Sequence, residues 1–146
     1  MDFDLFSRIP RVLDVPFYEG SLQNLVQEIM RISFEDKASN KENGDKKKST
    51  RNRCVSAADA HVLIQANKDP AYKKLLNSFY LNLPDGMPIV WIARRKGFKN
   101  MQRCYGPDLF EMLMRKSANT ILTHFLCGGK EGVAEELKVV CEKRFE

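Results

Sequence analysis

The chain has 146 residues, 43% of them hydrophobic and 29% charged, and carries a net charge of +5 from 24 basic and 19 acidic residues. One domain of this size can bury a core without disulfide or metal staples, and the composition excludes a wholly disordered chain, a collagen-like repeat and a coiled coil. No apolar run is long enough to span a bilayer, and the opening MDFDLFSRIPRVLD has acids where a secretory leader needs bases and an apolar stretch, so a cytoplasmic location is expected.

In chain order, Arg11–Tyr18 reads as a strand. Ser21 caps a helix through about Ile32, with Leu22, Leu25, Val26 and Ile29 on one face. Glu35–Arg53 then breaks the pattern. It has no large apolar residue, and its seven bases and four acids supply +3 of the net charge. Such a segment buries too little to offset its ordering entropy, so a flexible basic insertion is expected at 35–53, solvated or touching an anionic partner. Arg53–Ser56 is a short strand, Ala57–Asn67 a helix, and Asp69-Pro70 the start of a second helix. Phe79–Leu83 is a strand. Gly86–Lys96 (GMPIVWIARRK) is apolar and then basic, which suits a helix ending at Gly97. Gly106-Pro107-Asp108 opens another helix. Ile121–Cys127 (ILTHFLC) is expected as a buried parallel strand, followed by GGKEG and a last helix with Val133, Leu137, Val140 and Cys141 on one side.

Alternation of this kind predicts an α/β fold, Rossmann-like, with a mainly parallel sheet and flanking helices. The chain stops at the end of a helix, where such a fold returns to the sheet. It is therefore expected to be one incomplete domain over 1–146, truncated at its C-terminus. The four cysteines, at 54, 104, 127 and 141, form no CxxC pair, so mostly buried free thiols are expected rather than a zinc cluster or disulfides.

In open α/β sheets, ligands collect at the carboxyl ends of strands. Three such ends stand out. At Leu83-Pro84-Asp85-Gly86, Asp85 either caps a turn or takes a proton from a substrate hydroxyl, and Gly86 permits a tight turn or a close ligand approach. At Ser56–Asp59, Asp59 either favours the helix N-terminus or faces a cleft with His61. At Gly128–Gly132, Gly128 and Gly129 lie in the context of a phosphate cradle, although the segment is neither GxGxxG nor a P-loop. Arg103 is suited to a phosphate, and His124 reads as a core histidine. Asp2-Phe3-Asp4 matches the D-x-D pattern of metal-dependent sugar transferases, but it does not follow a core strand and is discounted.

Val55-Ser-Ala-Ala-Asp-Ala-His61, Asp69-Pro70, Leu83-Pro-Asp-Gly-Met-Pro-Ile-Val-Trp91, Arg103-Cys-Tyr-Gly-Pro-Asp-Leu109 and Phe125-Leu-Cys-Gly-Gly-Lys-Glu-Gly-Val-Ala-Glu-Glu136 succeed one another in an order that resembles the WecG/TagA/CpsF glycosyltransferases. The resemblance is close over 53–146 and looser over 12–32. It implies an inverting, metal-independent transferase with no cofactor. Such an enzyme moves a hexosamine- or hexose-type sugar from a UDP donor to a lipid-linked (polyprenyl diphosphate) or polysaccharide acceptor in cell-envelope biosynthesis. It also implies peripheral contact with the inner face of the cytoplasmic membrane, no specific nucleic acid, and a capacity for homo-oligomers.

By position, Asp85 matches the family's proposed general base and Arg103 the arginine proposed to steady the diphosphate. Asp59, Gly86, Gly128 and Gly129 complete the expected donor site. Asp59 stands where the family usually has Asn, which sets a carboxylate near a diphosphate. Family chains also continue through further βα units. The competing readings are a non-catalytic nucleotide- or anion-binding module and, more weakly, a nicotinamide-dependent oxidoreductase, whose fingerprint is absent.

Overall fold

A computed structural model describes residues 9–42 and 53–145, with the backbone alone described for 38–42. The N-terminal D-x-D and residues 43–52 of the expected basic insertion lie outside the described residues. The chain is mixed α/β: β1 (Arg11–Val12), β2 (Val15–Pro16), α1 (Leu22–Glu42), β3 (Val55–Ala58), α2 (Ala60–Lys68), α3 (Pro70–Ser78), β4 (Leu81–Pro84), α4 (Met87–Arg95), α5 (Gly106–Ser117) and α6 (Val133–Arg144).

β3 and β4 pair in parallel, with Val55 opposite Leu81 and Ala58 opposite Pro84. Apolar groups pack on both faces of β4, while Val55 and Ala57 of β3 stay exposed. On one face Leu83 packs with Tyr18, Leu25 and Cys104, against which Leu22 of α1 and Leu109 of α5 also rest. On the other, Ala58 joins Leu63 of α2, Leu76 of α3, Ile89 and Val90 of α4, and Val12 and Phe17 of the N-terminal segment. β4 thus has the two-sided burial expected of a strand in a parallel sheet, and β3 has it only at Ala58.

Local chemistry explains most of the helix boundaries. Ser21 Oγ accepts from the Asn24 amide at 3.2 Å ahead of α1. Asp69 Oδ1 accepts from the Ala71 and Tyr72 amides at 2.8 and 3.2 Å, and Pro70 opens α3. α4 closes through Gly97, at φ +96, with the Gly97 amide donating to Arg94 and that of Phe98 to Ala93. That is a Schellman arrangement, which needs a residue at ease in the left-handed region.

Three expectations are corrected. Arg11–Tyr18 is not one strand but a hairpin, β1 against β2 antiparallel, turning at Leu13 (φ +49) and Asp14 (φ +65). Two positive φ values in a two-residue turn match the twist of the flanking strands, which lets Val12 and Val15 both enter the core. Second, α1 runs ten residues past Ile32, so 35–42 of the expected loop are helical. No glycine or proline falls between Leu22 and Glu42, and Arg31 bridges Glu28 and Glu35 at i−3 and i+4, at 2.7 and 2.5 Å. These pairs carry the helix past Ile32 into the polar segment without an apolar face.

Third, 121–127 forms no strand among the described residues, and Phe125 is 90% exposed. An apolar run becomes a buried strand only beside another strand, and the described parallel sheet consists of β3 and β4 alone. The segment is held instead by side chains. Lys37 Nζ donates to the Ile121 carbonyl, and exposed His124, expected in the core, meets Ser117 Oγ at 2.5 Å. Of the thiols, Cys104 and Cys141 are buried while Cys54 and Cys127 are exposed.

Asn82 ties the elements together. It is buried, and its Nδ2 donates to the Leu76 carbonyl at the end of α3 (2.9 Å) and to that of Pro16 in β2 (3.2 Å). Its own carbonyl accepts from the Tyr18 amide at 2.9 Å.

Asn82→Ala removes the side-chain donor shared by the Leu76 and Pro16 carbonyls and is expected to destabilise the fold by about 2 kcal/mol, read as a lower urea midpoint. The double substitution Leu13→Asn/Asp14→Gly supplies residues suited to positive φ and should raise that midpoint by the equivalent of about 1 kcal/mol.

Candidate active site

The register that sets Ala58 opposite Pro84 brings the next residues, Asp59 and Asp85, together beyond the carboxyl ends of β3 and β4. The Asp85 amide donates to the Ala58 carbonyl at 3.1 Å and fixes the backbone there. The chain then returns past the same spot. The Cys104 amide donates to the Pro84 carbonyl at 3.0 Å, and Arg103 Nε donates to the Asp85 carbonyl at 2.9 Å. Asp59, Asp85, Gly86, Arg103 and Gly106 thus gather at one end of the sheet.

Asp85 is the most enclosed carboxylate of the group, with its side chain 19% exposed. Its Oδ2 accepts a long hydrogen bond, 3.4 Å, from the Gly106 amide in the first residue of α5. Its Oδ1 is buried and has no hydrogen-bond partner among the described residues. Arg103 Nη2 lies 3.6 Å from Oδ1, close enough for ionic attraction and too long for a hydrogen bond. Asp85 also immediately precedes Gly86, the N-cap of α4. The positive ends of α4 and α5 therefore converge on one place, which suits an anion.

Arg103 stacks over the Tyr105 ring at 4.4 Å, and its side chain is 44% exposed. With Nε committed to the Asp85 carbonyl and the plane braced by Tyr105, the guanidinium keeps further N–H donors for a ligand. Beneath it, burial pushes the Cys104 thiol up to about 11, and the Asp85 charge adds to the effect. Burial likewise pushes the Tyr18 phenol up to about 12, with Cys104 and Glu28 adding. Both are neutral at physiological pH, so neither is an activated nucleophile.

Asp59 is the N-cap of α2, its Oδ1 accepting from the Val62 amide at 2.9 Å. Asn and Asp cap about equally well, so one side-chain oxygen has a structural task whichever residue stands here. His61 is exposed on α2. Gly86 has φ −128, an ordinary extended value, and its neighbours, Asp59 Cβ among them, would meet an added methyl at 3.6–3.8 Å. Neither the turn nor the packing requires glycine there.

Gly106 is the opposite case. A Cβ at this position would lie 3.3 Å from Ala57 Cβ and 3.5 Å from Asp85 Oδ2. Its absence lets α5 start against the sheet and direct an amide at Asp85. Sequence reasoning missed Gly106 and Tyr105 as site residues, although the Arg103-Cys-Tyr-Gly106 spacing carried the signal.

Gly128 and Gly129 adopt φ +108 and +82, and Gly132, at +86, caps α6. The surroundings of Gly128 are open to 4 Å and Gly129 packs on Val133, so neither is brought against Asp85 or Arg103. Among the described residues no three His, Cys, Asp or Glu side chains gather as metal ligands, and no helix is long and apolar enough to cross a membrane.

No curated protein matches the chain significantly. The model of the Glycosyl transferase WecG/TagA/CpsF family matches residues 11–146, a span that includes every strand and helix from β1 to α6. The parallel pair, the carboxylate at its end and the returning arginine are thus features of a chain that belongs to the WecG/TagA/CpsF family of glycosyl transferases.

Proposed function

We propose that the chain is an inverting glycosyltransferase in which Asp85 is the general base and Arg103 steadies the leaving diphosphate. The donor is a UDP-linked hexosamine or hexose. The acceptor is a hydroxyl on a lipid-linked or polysaccharide chain of the cell envelope, met at the inner face of the cytoplasmic membrane. The observation that carries this reading is the buried Oδ1 of Asp85, which has no hydrogen-bond donor among the described residues and lies where two helix N-termini converge.

The acceptor hydroxyl donates its proton to Asp85. Its oxygen forms a bond to the anomeric carbon as the bond from that carbon to the diphosphate oxygen breaks. One base suffices for a single displacement, in contrast to the paired carboxylates of glycosidases. Charge grows on the departing diphosphate, and Arg103 with the amides opening α4 and α5 offsets it without a metal. Asp59, held as a helix cap, contacts sugar hydroxyls rather than the diphosphate, which it would repel. Gly86 admits the donor closely, in a Rossmann-like arrangement of which β3 and β4 are the central pair.

Asp85→Asn keeps the shape of the site and removes the base. Release of UDP from a UDP-hexosamine in the presence of acceptor should fall about 10²–10⁴-fold, with far-UV circular dichroism unchanged. Arg103→Ala should cost about 10²-fold, chiefly in kcat. Undiminished transfer by Asp85→Asn would remove the base assignment. Nucleotide binding without transfer by the unaltered chain would favour a non-catalytic anion-binding module.

A further inference from the structure

α4 buries Ile89, Val90 and Ala93 and presents its opposite side to solvent. Successive residues of a helix are about 100° apart. Trp91 and Arg95 therefore stand at the middle of the outward arc, with Met87 and Arg94 on one flank and Ile92 on the other, all of them exposed. Trp91, the only tryptophan of the chain, is 58% exposed. Lys96 follows α4 directly and Lys99 comes three residues later, past the Gly97 turn; both are exposed as well. Arg94 Nε donates to the Met101 carbonyl at 2.9 Å, which holds that cation on the flank of the face, whereas Lys96 Nζ donates to the Arg11 carbonyl of β1 at 3.0 Å and so turns toward the side on which α4 packs. Among the described residues no carboxylate pairs with Arg94, Arg95, Lys96 or Lys99.

Apolar and cationic groups on one short face select among occupants. Two copies meeting here about a twofold axis would set Arg94, Arg95 and Lys99 of one against the same bases of the other. Three apolar side chains are also too few for the core of a stable protein interface. An anionic bilayer fits both halves. Tryptophan concentrates at the headgroup level, long basic side chains reach the phosphates while their stems lie along the lipid, and an acidic leaflet attracts each base.

We propose that this outward face of α4 docks the protein on a bilayer containing anionic lipid. Asp85 lies two residues before α4, so docking brings the base to the level of the headgroups, where a lipid-carried acceptor presents its hydroxyl. In that purpose the inference rests on the transferase reading, while the docking itself is measured without turnover.

Trp91 reports on its own environment. Vesicles of phosphatidylglycerol and phosphatidylcholine should shift its emission to the blue, and phosphatidylcholine alone should not. In co-sedimentation, Arg95→Glu/Lys99→Glu should lower the partition coefficient more than about tenfold. Trp91→Ala should lower it as well, and both substitutions lie on the surface and leave circular dichroism unchanged. Asp85→Asn should bind vesicles like the unaltered chain while losing transfer. Emission that ignores anionic vesicles would overturn the proposal. So would a blue shift that grows with protein concentration in the absence of lipid, or sedimentation that persists in both α4 variants through other residues such as the bases at 46–53. Vesicle binding by a chain that transfers no sugar would leave the docking intact and remove the transferase reading.

Discussion

The register of two four-residue strands governs this molecule. Ala58 opposite Pro84 is the last step of the β3–β4 ladder, and the next residue of each strand is an aspartate opening onto a helix. A slip of one residue would turn Leu83 away from Leu25 and Cys104 and present Asn82 in its place, exchanging the two faces of the pair. The same slip would remove the Ala58 carbonyl from the Asp85 amide. Core packing and site geometry are thus held by one alignment.

Backbone bonds from distant parts of the chain converge on β4. The Tyr18 amide reaches the Asn82 carbonyl and the Cys104 amide that of Pro84, so segments before α1 and before α5 are both tied to one short strand. This explains how a two-stranded parallel sheet, small by any standard, positions a site. Each candidate polar group at its end is attached to backbone that is itself hydrogen-bonded, and Arg103 is fixed by Nε before it touches a ligand. Thiol and phenol lie beneath, neutral because they are buried, and pack the floor without competing for protons.

The sequence made legible whatever depends on local chemistry. Asp69-Pro70, Gly97 and Gly106-Pro107 each mark a helix boundary through capping or fixed dihedrals, and the structure obeys them within a residue or two. The two strands were legible because short apolar runs there alternate with helices. Leu13-Asp14 was not, since nothing in those side chains announces positive φ. The continuation of α1 past Ile32 was misread because composition reports what a segment can bury, whereas the ion pairs of Arg31 with Glu28 and Glu35 act along the surface and the stretch holds no glycine or proline up to Glu42. ILTHFLC was misread for the converse reason. Its composition reports a wish for burial, and burial depends on a neighbouring strand far away in sequence. In the site, Asp85 and Arg103 were singled out one by one, but their meeting through the Asp85 carbonyl and the Gly106 amide is a tertiary fact.

Asp36 of α1 and Arg53, two residues before β3, are joined in an ion pair across seventeen positions of sequence, so the helix and the approach to the strand are held together at that point. Where two points of a chain are already joined, the closure entropy of the stretch between them changes only with the logarithm of its length, by about 0.6 kcal/mol for each doubling. Its length is therefore nearly neutral for stability and free to drift. Shortened or extended versions of the lysine-rich stretch can arise without disturbing β3, β4 or the carboxylate at their end.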